Sequence, residues 1–186
     1  LEPAELDARS CSCCQTDAAR IGKRTLVVYR DRSDAEVRDI ALVERKGKGA
    51  WSQPQIVHSD GWKVSACPVN GPAIAASEET ALIAWPTMVD GPTSVRYLLR
   101  SGQKNSPMQV LEQGANVIGR VDASAAANGG FAILPTGTTA PELPDDVFKV
   151  TVGYLIFKPP VHFSVWPTLS QPQPPISSSR FIGRCY

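Results

Sequence analysis

Four of the five cysteines lie in two short segments, and these segments carry the most distinctive chemistry of the sequence. The first segment contains Cys11, Cys13 and Cys14, and Cys67 is the cysteine of the second. Four thiolates together would suit a soft metal ion such as copper, although Cys-x-Cys-Cys is not the common zinc spacing. A disulfide from Cys67 to one member of the cluster, or a buried free thiol, is the alternative. Adjacent Cys13 and Cys14 point to opposite faces of an extended chain, which favours the disulfide.

A second set of candidate side chains could bind a ligand through hydrogen bonds. It consists of arginines together with nearby aspartates and one asparagine amide. Guanidinium groups bind carboxylates through paired hydrogen bonds, so these residues suit an acidic ligand. Arg120 and Asp122 are two residues apart, and a strand would place both on one face. Asn70 stands between two turn-forming prolines, where it offers its amide to a ligand or holds a turn. The candidate ligand-binding residues are Arg30, Asp31, Arg38, Asn70, Arg120 and Asp122.

Structural roles compete with ligand binding at several of these positions. Arg30 and Asp31 stand at the end of a predicted strand, where the pair can stabilise a turn. Arg38 and Asp39 are neighbours, and in a strand they would point to opposite faces, so both cannot line one pocket. The sequence by itself leaves both roles open for these residues.

Length and composition indicate a globular protein without a membrane span or a nucleic-acid footprint. The chain has 186 residues, 42% of them apolar, which is enough to bury a core. The net charge of +1 argues against nucleic-acid binding. Apolar runs of about five residues are far shorter than the roughly twenty that span a bilayer. The sixteen prolines and fourteen glycines favour strands and turns.

A strand pattern is repeated along the chain. Arg24–Tyr29 resembles Thr80–Trp85, which begins 56 residues later, and Glu36–Ala41 resembles Ser94–Leu99. A third copy begins at Gly119 and continues to residue 134. A period of roughly fifty residues built from short strands is typical of a β-propeller or a similar array.

The repeat predicts an all-β fold with two to three propeller-type blades of antiparallel strands and an irregular C-terminal tail. Blades are expected in residues 1–135, and residues 136–186 form a divergent Pro-rich tail that includes Cys185 and a linker-like stretch at 167–180. The predicted strands cover residues 23–30, 37–44, 55–58, 67–76, 80–85, 94–99, 108–111, 119–122, 129–134 and 147–157.

Six short segments follow one another in an order that resembles a known group of proteins. Their sequences are Cys-Ser-Cys-Cys-Gln-Thr (11–16), Tyr-Arg-Asp (29–31), Arg-Asp-Ile (38–40), Asp-Gly-Trp (60–62), Cys-Pro-Val-Asn-Gly-Pro (67–72) and Gly-Arg-Val-Asp (119–122). The series is similar to bacterial sialidase-like β-propeller proteins, also called exo-alpha-sialidase or BNR/Asp-box repeat proteins. The similarity covers about residues 10–135 of the chain.

The resemblance implies a six-bladed propeller of four-stranded sheets and hydrolysis of terminal sialic acid. In such chemistry arginines clamp the sugar carboxylate, a tyrosine activated by a glutamate is the nucleophile, and a carboxylic acid transfers protons. Tyr29 and Tyr97 are the nearby tyrosines, but Tyr29 takes the place of Trp85 in the repeat, which favours a role in the core. No complete arginine triad with a Tyr/Glu pair can be assigned, so the catalytic residues are left unassigned.

These observations lead to one expected function and two alternatives. The expectation is a sialidase-like propeller that binds glycans or hydrolyses terminal sialic acid, without a cofactor. The alternatives are a non-catalytic propeller that serves as an interaction scaffold, and a thiolate metal-binding protein. The expected partners are a glycan or small-molecule ligand and further blades encoded outside this chain. The first residue is Leu1 and no signal peptide is visible, so we expect a mature form or fragment of a secreted or periplasmic product.

Overall fold

The structure, a computed structural model, describes residues 4–115, 117–126, 129–135, 147–150 and 153–156, the last two ranges as backbone strands. Within these ranges the chain contains thirteen strands and no helix, and every strand pairing is antiparallel. The strands form three sheets, which confirms the all-β fold of antiparallel sheets. The described ranges accordingly hold no helix that is long and apolar enough to cross a membrane.

The first sheet is a meander of four strands. It consists of β1 (Asp17–Ile21), β2 (Arg24–Arg30), β3 (Ile40–Lys46) and β4 (Gln55–His58), in that order. Gly22 has a φ of 55°, a left-handed conformation that suits glycine in the tight turn between β1 and β2. Three of these strands correspond to predicted ones. In contrast, β1 was not predicted, because Asp-Ala-Ala-Arg-Ile lacks strict polar–apolar alternation and has no β-branched residue before the last position.

The second sheet repeats this meander with one addition. It contains β5 (Ala73–Ser77), β6 (Thr80–Thr87), β7 (Ser94–Ser101), the short β8 (Lys104–Asn105) and β9 (Gln109–Gln113). Both β8 and β9 pair with β7. The predicted strand at 67–76 is wrong over its first six residues, because the two prolines there cannot donate backbone hydrogen bonds to a ladder.

The third sheet has a different strand order. It runs β10 (Val121–Ala125), β11 (Phe131–Pro135), β13 (Gly153–Ile156) and β12 (Val147–Val150). The single strand predicted at 147–157 is therefore wrong, since this stretch forms two strands that pair with each other. The stretch is rich in β-branched and aromatic residues throughout, and Gly153 is its only residue of a type that commonly marks a turn. The segment predicted as a tail thus supplies two strands of this sheet, while residues 157–186 lie outside the described ranges.

The three sheets pack face to face, and the second is covered on both sides. Ile83 and Trp85 of β6 belong to a core shared with the first sheet. The alternate residues Leu82 and Ala84 belong to a core shared with the third sheet. All eight residues of β6 are buried, as expected for a strand between two apolar layers. Each large aliphatic side chain buried in this way contributes roughly 1.5–3 kcal/mol to folding.

The first strands of the three sheets lie side by side, with β5 between β1 and β10. Because neighbouring strands within a sheet are antiparallel, the start of β1, the end of β2 and the start of β3 share one edge. The loops that precede β1, β5 and β10 meet at this edge, which carries the candidate functional residues.

We use the word module for each sheet together with the loop that precedes its first strand. The strand registers correct the predicted alignment of the first two modules. Tyr29 pairs with Ala41, and its counterpart Trp85 pairs with Arg96, so Ala41 and not Arg38 corresponds to Arg96. The loop from β2 to β3 spans residues 31–39, and the loop from β6 to β7 is shorter, spanning 88–93. Because the first loop is longer by three residues, the sequence comparison aligned Arg96 with Arg38, three positions before its structural counterpart Ala41. Arg38 also lies before β3 rather than inside a strand.

Candidate ligand-binding cleft and thiol cluster

A disulfide between Cys13 and Cys67 joins the loop before β1 to the loop before β5. The two Cα atoms are 6.5 Å apart, and 54 positions of sequence separate the residues. The predicted disulfide between Cys67 and the cluster is therefore present, and Cys13 is the partner. The bond connects the first two modules at the edge where the inner strands, β1, β5 and β10, begin.

Gln15 lies in the loop before β1 and contacts both the loop before β5 and the first strand of the third sheet. Its side-chain Nε2 donates a hydrogen bond to the carbonyl of Val121 at 3.0 Å and lies 3.4 Å from the carbonyl of Pro72. Gly71 packs directly on the backbone of Gln15, because a Cβ built on it would lie 2.0 Å from the Gln15 carbonyl oxygen. Glycine is needed at position 71 for this close approach of two backbones.

An open cleft of about 460 Å³ lies where the three inner strands begin. Arg120 is exposed at its rim and makes no hydrogen bond or ion pair with the described part of the chain. Asp17 is half-buried and accepts a hydrogen bond from the Ile74 backbone N–H at 2.8 Å, which fixes β1 against β5. The lining residues are Gln15, Thr16, Asp17, Ala73, Arg120, Val121, Asp122 and Leu134.

The cleft brings together Arg120 and Asp122, two of the six predicted ligand-binding residues. Asp122 is exposed, and its Oδ1 accepts a hydrogen bond from the backbone N–H of Ala123 at 2.8 Å. The second carboxylate oxygen is available to a ligand hydroxyl. One concave site therefore holds a guanidinium that has no partner among the described residues, together with two carboxylates. Both oxygens of Asp17 accept backbone hydrogen bonds, whereas Asp122 accepts one through Oδ1.

Arg30 lies in the interior and its donors are taken by backbone carbonyls. Nε donates to Asn70 at 3.0 Å, Nη1 to Arg38 at 2.6 Å and Nη2 to Pro86 at 2.7 Å. The guanidinium also lies 4.9 Å from the ring centroid of Trp62, within cation–π range. Burial lowers the pKa of Arg30, although an arginine keeps its charge at any physiological pH. This contact set makes Arg30 a structural link between the first two modules.

The remaining predicted residues lie near Arg30 rather than in the cleft. Arg38 is buried and donates from Nη2 to Glu36 at 2.7 Å. Asn70 donates from Nδ2 to the carbonyl of Ile118 at 3.0 Å, so its amide holds the loop before β10. Asp31 is half-buried at the end of β2, and burial raises the pKa of its carboxyl group. The six residues thus form two groups on the same edge, one in the cleft and one around Arg30.

Asp60 is a buried carboxylate that sequence reasoning missed. Its side chain is 2% exposed and accepts hydrogen bonds from Trp85 Nε1 and Arg96 Nη1, both at 2.7 Å. Nδ1 of His58 lies 2.8 Å from the same carboxylate, and Arg96 also pairs with Asp90. The Asp-Gly-Trp segment was a visible signal, but the partners are 25 and 36 residues away and belong to the next module.

The two candidate tyrosines lie outside the cleft lining. Tyr29 packs with Ala41 and Val43 on the outer face of the first sheet and donates to Asp7 Oδ2 at 2.6 Å. Burial is the main cause that raises the pKa of Tyr29, and the hydrogen bond to Asp7 is the next largest, so the phenol stays protonated. Tyr97 is buried in the core between the second and third sheets. A tyrosine poised as a nucleophile would need the opposite shift in pKa.

The disulfide leaves Cys11 and Cys14 as free thiols, the first buried and the second half-buried. Cys11 Sγ lies 3.5 Å from Cys13 Sγ, and the sulfurs of the three clustered cysteines all lie within 4.8 Å of one another. The pKa of Cys14 is raised to about 12, mainly by burial and secondly by the neighbouring Cys11 thiol. The predicted four-thiolate set is thus divided into one disulfide and one pair of thiols.

Comparison of the chain with protein-family models and with curated proteins gives no match. The cleft offers a cation with hydroxyl-binding carboxylates, and the thiol pair offers soft ligands.

Proposed function

We propose that this protein binds a carboxylate-bearing glycan of the sialic acid class in the cleft at the start of its inner strands. The observation that supports the proposal is the guanidinium of Arg120, which has no partner within the described part of the chain, at the rim of a cleft with Asp17 and Asp122. Such a guanidinium matches the planar carboxylate of an acidic sugar. The resemblance to sialidase-like propellers favours the same ligand class.

Three polar groups of the cleft have a role in this arrangement. Arg120 binds the sugar carboxylate, while Asp122 accepts hydrogen bonds from sugar hydroxyls. Thr16 is exposed and offers a hydroxyl that donates and accepts. The cleft volume of about 460 Å³ falls within the range of small-molecule sites.

Binding is a better match than hydrolysis to the groups that line this cleft. Hydrolysis of a sialoside by the expected route needs an activated tyrosine beside the sugar. Tyr29 is instead protonated and lies in the outer cluster with Ala41 and Val43. We therefore propose a non-hydrolytic glycan-binding protein built on blade-like sheets.

Titration calorimetry with sialyllactose and lactose tests the proposal. We expect sialyllactose to bind, lactose to bind far more weakly, and Arg120→Ala to lose roughly tenfold to a hundredfold in affinity, because a charge-assisted pair is removed. Arg20→Ala is the matched control, since Arg20 is exposed on β1 and hydrogen-bonds only to the nearby Gly22 carbonyl among the described residues.

A fluorogenic sialoside assay on the same protein separates binding from hydrolysis. We expect no turnover above the blank. Equal affinities for the two sugars, or an unchanged affinity in Arg120→Ala, would contradict the proposed site, and turnover that depends on Arg120 would replace binding with catalysis.

A further inference from the structure

The disulfide leaves two thiols with the spacing Cys-x-x-Cys. Cys13 is bonded to Cys67, so the free residues of the cluster are Cys11 and Cys14, with two residues between them. The backbone N–H of Cys14 donates to the carbonyl of Cys11 at 3.2 Å, which closes the segment into a turn. This turn keeps both sulfurs on one side, no more than 4.8 Å apart.

Two buried arginines, Arg30 and Arg38, lie near the thiol pair. Their charges act to lower the pKa of Cys14, but burial and the neighbouring Cys11 thiol outweigh them and keep the Cys14 thiol protonated until a metal ion displaces the proton. Two thiolates that hold a monovalent cation carry a net charge of −1, which these buried arginines offset.

We propose that Cys11 and Cys14 form a binding site for one Cu(I) ion, held by two thiolates while the Cys13–Cys67 disulfide stays intact. Thiolates are soft ligands that select Cu(I). Structural zinc sites take four ligands, and the described cysteines other than this pair are bonded to each other in the disulfide. The site is independent of the proposed glycan cleft.

The geometry of the pair matches the reach of two metal–sulfur bonds. A metal–thiolate bond is about 2.3 Å long for zinc, so two opposed bonds separate their sulfurs by about 4.6 Å. That separation lies within the 4.8 Å limit that encloses the cluster. Binding forms two Cu–S bonds, breaks two S–H bonds and releases two protons to water, with no change in the oxidation state of copper or sulfur.

Copper titration of the full chain in ascorbate tests this site, with bathocuproine disulfonate as the competing chelator. We expect one Cu(I) per chain and two sulfur neighbours in X-ray absorption. Thiol counting with maleimide after denaturation should show Cys13 and Cys67 still bonded to each other. Cys11→Ser and Cys14→Ser should each weaken binding at least 100-fold, because one of two ligands is lost.

Two control variants make the outcome specific. Ser12→Ala changes the same turn without removing sulfur, and Cys185→Ser removes the remaining cysteine of the chain. Both should bind Cu(I) as the unmodified protein does. Since Cys11 is buried, circular dichroism checks that its variant folds, and the half-buried Cys14 provides a second test. Absence of Cu(I) binding, full binding in the Cys14→Ser variant, or more than two sulfur neighbours with loss of the disulfide would overturn the proposal.

Discussion

The guanidinium of Arg30 makes three hydrogen bonds to backbone carbonyls, and two of these carbonyls belong to the second module. A planar group with five donors can serve carbonyls in different directions at once, whereas an ammonium group on a flexible stem cannot hold that geometry. The residue was a plausible ligand-binding arginine from its type alone. Its burial and its three acceptors instead give it a role in joining two modules.

Asp39 is a buried carboxyl group whose charge opposes folding. Burial raises its pKa above the ordinary value of 3.8, and the nearby Asp60 adds to the shift, while the Gly61 backbone N–H and His58 oppose it. The folded chain therefore holds this proton more tightly than the unfolded chain. The stability contribution of Asp39 is present at pH below 3.8 and is lost as the pH rises through the raised pKa.

Asp39→Asn should therefore raise the free energy of unfolding at pH 7, with a smaller gain near pH 4. The amide keeps an oxygen that accepts the hydrogen bond from Gly61, which is 2.8 Å long in the protein. Urea unfolding at the two pH values measures the difference. An equal effect at both pH values would show that the carboxyl charge is not the cause.

At the scale of elements, the loops before β1 and β5 behave as one unit. The disulfide joins them covalently, Gly71 lies against the Gln15 backbone, and Gln15 extends to Val121 at the start of β10. These contacts set the edge from which all three inner strands begin. The cleft therefore depends on loop contacts as much as on the strands themselves.

Gly71→Ala should destabilise the protein by about 1–3 kcal/mol, because the added methyl group forces the two loops apart. The Cβ would lie 2.0 Å from the Gln15 carbonyl oxygen, a distance that rotation of a side chain cannot relieve. Gly114→Ala is the matched control, since a Cβ there meets no atom within 4 Å. Urea unfolding that shows equal stabilities for the two variants would contradict the close packing of the loops.

At the scale of the whole molecule, three sheets are stacked and the second is buried between the others. The cores on its two faces are apolar, whereas the contacts at the shared edge are polar and include Asp60 with Trp85 and Arg96. Apolar layers supply most of the stability but little directional preference. The polar contacts and the disulfide determine how the modules are aligned.

Cys67→Ser should lower the free energy of unfolding by roughly 2–5 kcal/mol, because it opens a long covalent loop in the unfolded chain. The bond spans 54 positions and joins two separate sheets. Chemical denaturation should place the variant level with the reduced unmodified protein. If the variant instead matches the oxidised protein, the disulfide does not hold the modules together.

Much of the strand pattern was predictable from sequence, and particular failures have clear causes. The strand at 55–58 matches β4, and the predicted strand at 80–85 lies within β6. The register of Arg96 could not be predicted, because loop lengths differ between the modules. Arg120 and Asp122 were predicted on one strand face. They line one cleft, although Arg120 lies directly before β10 and only Asp122 is inside the strand. Asp60 was missed because its partners are distant in sequence.

The sequence by itself determined many of the described strands and turns of this protein, because the alternation of side chains and the conformational preferences of glycine and proline act over a few residues. It also indicated that Cys67 pairs with the cluster. Only the tertiary structure decided that Cys13 is the partner, that Arg30 bonds to carbonyls and that Arg120 lines the cleft. These outcomes depend on contacts between residues that are tens of positions apart in sequence. Local conformational preferences do not specify such contacts.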